Sequence, residues 1–119
     1  MHFRLSAALL ALSILLPTVG GAAEYPKPNE GNFVLRDFKF TSGETLPELR
    51  LHYRTIGKAV QDAKGVTQNA VLIMHGTTGS GAQFIRSEFA GELFGAGQPL
   101  DAAKFFIVLP DDIGHGKSS

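Results

Sequence analysis

The sequence predicts an α/β fold whose sheet is parallel in part. Residues 70–74 and 105–109 are short, continuously apolar runs, as expected for strands that are covered on both faces. Between these runs, Ile85, Phe89 and Leu93 recur at the spacing of one helical face. Ahead of them, alternating residues indicate an antiparallel strand pair. The predicted order of elements is therefore β-β-β-α-β.

The N-terminus has the organisation of a secretory signal peptide. Arg4 supplies a positive charge, residues 5–16 form an apolar run, and small residues follow up to Ala23. The run is about a dozen residues long, short of the roughly 18 to 20 that a membrane-spanning helix needs, so no stable membrane span is expected. We predict a signal peptide over residues 1–23 and export, to the periplasm or the medium, after cleavage near Ala23. A buried N-terminal helix is the alternative interpretation.

Residues 24–32 hold two prolines and no periodic apolar pattern, which predicts an extended leader. The folded part is predicted over residues 33–119. Its first strand covers residues 33–40 and ends in a turn cluster at residues 41–44. In the second strand, apolar and polar residues alternate, which predicts a half-buried strand with its polar side chains on a solvated, positive face. The apolar positions are Leu49, Leu51 and Tyr53, and the polar ones are Arg50, His52 and Arg54.

Composition excludes several function classes. The 119 residues are 44% hydrophobic and 18% charged, as in an ordinary globular chain of one domain at most. The 11 basic and 11 acidic residues balance and form no run of like charge, so nucleic acid is not an expected partner. There is no cysteine, which excludes disulfides, thiolate metal sites and a cysteine nucleophile. No cofactor is expected.

A His-Gly-Thr-Thr-Gly segment, His75 to Gly79, follows the apolar run at residues 70–74. Such a position, at the carboxyl end of a strand, is where open α/β sheets bind ligands. Gly76 and Gly79 would permit close backbone approach and unusual dihedral angles, so that the Thr77 amide could donate to a substrate oxygen. The alternative is a plain tight turn in which local backbone bonds satisfy His75.

A second polar segment, residues 111–119, follows the apolar run at residues 105–109. It resembles a phosphate-binding loop only in its Gly-Lys-Ser tripeptide, because Asp111 stands where the first glycine of that loop is required. Asp111, Asp112 and His115 have no established metal-ligand spacing, so no metal site is expected. The favoured interpretation is a structural loop, in which an aspartate caps backbone amides and glycines allow a sharp bend.

Four stretches together, residues 40–57, 69–80, 93–101 and 110–119, resemble the α/β-hydrolase fold and, more closely, its homoserine O-acetyltransferase-like members. The resemblance implies the N-terminal part of that fold: strands one to four and the first helix, in the sheet order 1-2-4-3-5, and incomplete. It implies that Thr77 supplies one backbone N–H of an oxyanion hole. It also implies that the serine elbow and the Asp and His of the triad follow Ser119, since Ser118 and Ser119 lack a G-x-S-x-G context.

The same resemblance implies a serine-dependent enzyme that acts on small-molecule acyl, ester-type substrates. Export favours a hydrolase, because acetyl-CoA is a cytoplasmic donor. A homoserine O-acetyltransferase-like acyl transferase and a non-catalytic exported binding module are the alternatives. This chain alone is expected to be inactive. It is also expected to be marginally stable or aggregation-prone, because the strand at residues 70–74 would present an open apolar edge.

Overall fold

The computed structural model describes Gly21 and residues 23–119, so the predicted signal peptide lies almost wholly outside the described residues. The element order confirms the predicted β-β-β-α-β arrangement. In the described part of the chain, no helix is long and apolar enough to cross a bilayer. The elements are β1 (Asn29–Lys39), β2 (Thr45–Ile56), β3 (Ala70–Leu72), a 3₁₀ helix (Gly81–Ile85), α1 (Ser87–Leu93) and β4 (Phe106–Pro110).

β1 and β2 form the predicted antiparallel hairpin, with Phe33 opposite Leu51. The chain reverses at Gly43, whose φ of 101° is a conformation that favours glycine. β1 begins at Asn29 and not at Phe33, so the last four residues of the predicted leader belong to the strand. They pair with the end of β2, where Asn29 lies opposite Thr55. The polar side chains of this segment find partners on β2, which explains why a stretch without apolar periodicity forms a strand.

The four strands form one mixed sheet in the order β1-β2-β4-β3, which confirms the predicted order for these strands. β4 is antiparallel to β2 and parallel to β3. β3 is shorter than the predicted run, although the Ile73 N–H still donates to Val108 O at 3.0 Å. Leu72 and Met74 are 62% and 52% exposed at this edge of the sheet. The apolar edge expected from the sequence is therefore present.

The helical segment covers one face of the sheet, but it is not the single helix that the sequence predicts. Arg86 is extended (ψ 149°) and separates the 3₁₀ helix from α1. Consequently the buried positions differ from the predicted stripe: Ile85, Phe89 and Leu93 are only partly buried against the core. The buried cluster consists of Ile56, Phe84, Ala90, Phe94, Ala102, Ile107 and Leu109.

The prediction that the positive face of β2 is solvated is wrong for two of its three residues. Arg50 is exposed, whereas His52 and Arg54 are only 5% and 4% exposed. Their burial is possible because the loop after β4 and the N-terminal end of β1 supply polar partners. Arg54 donates from Nη1 to Asp111 Oδ1 at 3.0 Å. A buried guanidinium without such a carboxylate would be strongly destabilising.

Candidate functional site

The segment after β3 forms a tight turn over residues 76–79, which we name the oxyanion turn after the role predicted for Thr77. The Gly79 N–H donates to Gly76 O at 2.9 Å, which places Thr77 and Thr78 at its two exposed central positions. Neither Gly76 nor Gly79 has a positive φ, so the predicted unusual dihedral angles are not found. Close approach is found at Gly79, where an added Cβ would lie 2.4 Å from Gln83 Oε1.

His75 is buried beside this turn, and both of its ring nitrogens are bonded. The Asp112 N–H donates to His75 Nε2 at 3.0 Å, and His75 Nδ1 lies 2.7 Å from Gly76 O. Because an amide N–H can only donate, Nε2 must be the unprotonated acceptor, so Nδ1 carries the proton and donates to Gly76 O. His75 is therefore satisfied by backbone groups, of which Gly76 O is local, as the alternative interpretation held, and the Asp112 N–H is distant along the chain.

The Thr77 amide donates to no acceptor among the described residues, and Thr77 itself is exposed. Its peptide plane is held at the other end, because Gly76 O accepts from both His75 and the Gly79 N–H. In a trans peptide the N–H points away from the C=O, so these two bonds also set the direction of the Thr77 N–H. This geometry suits the role predicted for Thr77, which stays a prediction.

The loop after β4 is organised around the buried side chain of Asp111. Oδ1 accepts from the Gly81 N–H at 2.8 Å and from Arg54, while Oδ2 accepts from the Lys117 N–H at 2.9 Å. Burial raises the pKa of Asp111, but the two amide bonds and the Arg54 charge outweigh it and hold the pKa below its usual value. The carboxylate thus caps backbone amides, as the structural-loop interpretation predicts.

Other polar groups of this loop form hydrogen bonds within the loop and to the backbone of β2. Gly116 has φ 55°, and a Cβ there would lie 2.2 Å from Asp111 Oδ2, so glycine is required. Ser118 Oγ donates to Asp111 O at 2.8 Å and accepts from the His52 N–H at 2.9 Å. Ser119 Oγ accepts from the Arg50 N–H at 2.8 Å. In the described residues, no group of three or more acidic, His or Cys side chains is placed to hold a metal ion.

No protein-family model matches the chain. It is 34% identical over 87 residues to a probable acyltransferase of Methanothermobacter thermautotrophicus, covering 73% of this chain and 26% of the relative. It is 32% identical over 90 residues to a homoserine O-succinyltransferase of Hydrogenovibrio crunogenus, covering 67% of this chain and 22% of the relative.

Solved structures agree on the fold. A homoserine O-acetyltransferase from Bacillus anthracis superposes with a TM-score of 0.55 at 22% identity, over 71% of this chain and 23% of that chain. Together, the relatives and the solved structures support an α/β-hydrolase-like fold of the homoserine O-acetyltransferase-like branch. An esterase superposes with a TM-score of 0.55 at 20% identity, over 73% of this chain and 24% of that chain. The chain spans about a quarter of the length of the curated relatives it matches (26% and 22%).

The contacts of His115 were not predicted from the sequence. Its Nε2 contacts Thr77 O, and its Nδ1 lies 3.1 Å from Ile113 O. The bonds to the Ile113 and Thr77 carbonyls, with the charge of Asp112, raise the pKa of His115 against the opposing effect of burial. No local pattern could show this contact, because it joins residues 38 positions apart.

A charge cluster at the N-terminal end of β1 was also not predicted from the sequence. Glu30 lies 2.7 Å from Lys117 Nζ, 3.1 Å from His52 Nε2 and 3.4 Å from Arg54 Nε. The hydrogen bond from Lys117, followed by the charges of Arg54, Lys117 and His52, lowers the pKa of Glu30 despite its partial desolvation. The cluster joins the loop after β4 to the strand pair β1–β2.

A cavity of about 450 Å³ lies beside the oxyanion turn. It offers polar groups from the turn and from the helical segment that follows it. The turn borders this space through Thr78 and Gly79. Its lining residues are Thr78, Gly79, Ser80, Ala82, Gln83, Arg86 and Gly116.

Proposed function

We propose that this chain supplies the first oxyanion-hole donor, the Thr77 amide, of an exported α/β-hydrolase-fold enzyme that acts on ester-type acyl substrates. The observation that carries the proposal is the N–H of the exposed residue Thr77, which has no acceptor in the described part of the chain and whose peptide plane is held by two bonds to Gly76 O. The proposed nucleophile is a serine in sequence beyond Ser119. The relatives are about four times as long as the region they share with this chain, which supports that placement.

The proposed chemistry is acyl transfer through a tetrahedral intermediate. The serine oxygen attacks the acyl carbon while a His–Asp pair takes its proton, and negative charge develops on the former carbonyl oxygen. A fixed N–H aimed at that oxygen stabilises the charge, and one such donor is worth about 100-fold to 1,000-fold in rate. The donor needs no reorganisation here, because His75 and Gly79 already hold the peptide that carries it.

The proposal of export rests on the apolar run at residues 5–16 and the small residues up to Ala23. Export favours hydrolysis, with water as the acyl acceptor, because an exported enzyme does not meet cytoplasmic acetyl-CoA. Edman sequencing of the protein from its native cells is expected to begin at Glu24. A protein that retains Met1 in the cytoplasm would contradict export and favour the transferase.

An acyl transferase is the second candidate, and the names of the relatives favour it. Homoserine O-succinyltransferase and homoserine O-acetyltransferase both occur among them. The two activities separate in one assay, in which the enzyme is given homoserine with acetyl-CoA or succinyl-CoA. Release of free CoA that depends on homoserine would favour the transferase, and ester hydrolysis without CoA release would favour the hydrolase. If the enzyme shows neither activity, the non-catalytic exported binding module is the remaining hypothesis.

The role of Thr77 can be tested by removing its N–H alone. Thr77→Pro deletes the amide proton, and proline is favoured at the second position of a β-turn, so the turn should persist. Thr77→Ala is the matched control, because it keeps the amide. In the longest form of the protein that cells contain, with p-nitrophenyl acetate as substrate, Thr77→Pro should lower kcat/KM about 100-fold or more, and Thr77→Ala only a few-fold. Equal effects of the two substitutions would refute the assignment.

A further inference from the structure

His115 bonds two carbonyl oxygens at once. Its Nδ1 lies 3.1 Å from Ile113 O, within its own loop, and its Nε2 contacts Thr77 O on the oxyanion turn. A carbonyl oxygen only accepts hydrogen bonds, and a neutral imidazole has one N–H to donate. Both bonds can therefore exist together only when the ring carries two protons.

The bond to Thr77 acts on a different peptide plane from the one that His75 holds. His75 and the Gly79 N–H hold Gly76 O, which is the carbonyl of the Gly76–Thr77 peptide. Thr77 O belongs to the central peptide of the turn, which no other described residue bonds. Reversal of that peptide would give Thr78 a positive φ, which is strained for a β-branched residue. The His115 bond and the side chain of Thr78 therefore favour the same orientation.

We propose that His115 is a positioning residue of the oxyanion turn, which it holds to the loop after β4 by binding the Thr77 carbonyl. The proposal rests on the proposed function of the Thr77 amide, because only then does the order of this turn affect a reaction. The bond itself can be measured without catalysis. A failed test of hydrolysis and a failed test of this contact are thus separate results.

The hold depends on the protonation of His115. The Ile113 and Thr77 carbonyls raise the pKa of its ring, and the Asp112 carboxylate adds to this effect. Among the described residues, the ring of His75 also faces it, with its centroid 5.3 Å away, and this ring accepts from the Asp112 N–H. Once His115 loses its second proton, one N–H must serve two carbonyls. The turn is therefore held less firmly as the pH rises through the pKa of His115.

Amide hydrogen exchange of the Gly79 N–H, resolved to single residues and corrected for intrinsic rates, reports the order of the turn. The Gly65 N–H is a matched internal control, because it closes a similar turn by donating to Asp62 O at 3.0 Å. His115→Phe removes the donor, whereas His115→Gln keeps an N–H donor but cannot titrate. Exchange is measured by mass spectrometry at low micromolar concentration, between about pH 5.5 and about pH 8.5.

We expect protection of Gly79 in the wild type to fall about threefold to tenfold across this range, the loss expected for one hydrogen bond, while Gly65 stays unchanged. His115→Phe should show the low protection at every pH, and His115→Gln a protection that no longer depends on pH. Wild-type protection that is independent of pH would overturn the proposal, as would a His115→Phe protein that matches the wild type. Equal losses at Gly79 and Gly65 would also overturn it. If His115→Phe does not fold, the wild type and His115→Gln decide the matter.

Discussion

The substitution Asp111→Asn, which replaces one carboxylate oxygen by an NH₂ group, should strongly destabilise the protein. Asparagine keeps one oxygen, which can still accept from Gly81 and Arg54. Its NH₂ group then replaces Oδ2 and faces the Lys117 N–H, so that two donors meet. An unsatisfied buried donor costs about 1–3 kcal/mol. In addition, Arg54 loses the charge of its buried partner, and breaking such a pair costs about 3–5 kcal/mol.

These two costs overlap, since both arise from the loss of one carboxylate, so we expect about 3–5 kcal/mol in total. That is a large part of the roughly 5–15 kcal/mol that stabilises a typical domain. The assay is urea unfolding followed by far-UV circular dichroism. Asp101→Asn is the matched control, because Asp101 is also buried and accepts from two amides, those of Gly97 and Ala103, but forms no ion pair with any residue that the structure describes. A cost of Asp111→Asn below about 1 kcal/mol, or no larger than that of the control, would refute the reasoning.

The pH dependence gives a second check on Asp111. Its pKa is lowered in the folded state, from an ordinary value of 3.8, by the amide bonds and Arg54 against the effect of burial. A carboxyl group of this kind contributes stability above its unfolded pKa, and the contribution disappears as the pH falls through the folded pKa. The stabilities of wild type and Asp111→Asn should therefore differ at neutral pH and converge below about pH 4. A difference that persists unchanged into acid would contradict an electrostatic origin.

Two further substitutions test the loop and the sheet edge. Gly116→Ala should cost more than about 2 kcal/mol in urea unfolding, because its Cβ would meet Asp111 in addition to the strain of a positive φ. Gly114→Ala, with φ 76° and open space around it, should show the strain alone, and equal costs would contradict the contact. Leu72→Lys, at the open edge of β3, should reduce self-association measured by sedimentation velocity. Val60→Lys, equally exposed but outside the strands, should not, and association that is unchanged by Leu72→Lys would exclude this edge.

The parts of the fold that the sequence predicts correctly have local signals. The apolar runs mark β3 and β4, and the glycine at position 43 marks the turn of the first hairpin, where a positive φ is needed. The oxyanion turn also has a local signal, because its glycines directly follow a strand. The prediction of a single helix was wrong, and the reason is also local. The spacing of Ile85, Phe89 and Leu93 is helical, but the extended backbone at Arg86 divides the segment.

The parts that the sequence does not predict depend on partners far along the chain. His52 and Arg54 look solvent-facing in an alternating strand, and only the distant Asp111 and Glu30 make their burial possible. Arg54 and Asp111 are 57 residues apart, and a period-two pattern contains nothing about such a pair. The predicted start of β1 was wrong for the same reason. Its first residues are polar, and they form a strand because β2 offers their side chains partners.

The loop after β4 acts on the oxyanion turn through three separate contacts. The Asp112 N–H fixes the tautomer of His75, Asp111 holds the Gly81 N–H just beyond the turn, and His115 binds the Thr77 carbonyl. All three partners, His75, Thr77 and Gly81, lie within four residues of Thr77. The side chains of Asp111 and His115 and the Asp112 N–H are therefore best explained as supports of this turn. Under the proposed function, substitutions at Asp111 and His115 should alter catalysis through the position of the Thr77 amide, without changing which groups contact the substrate.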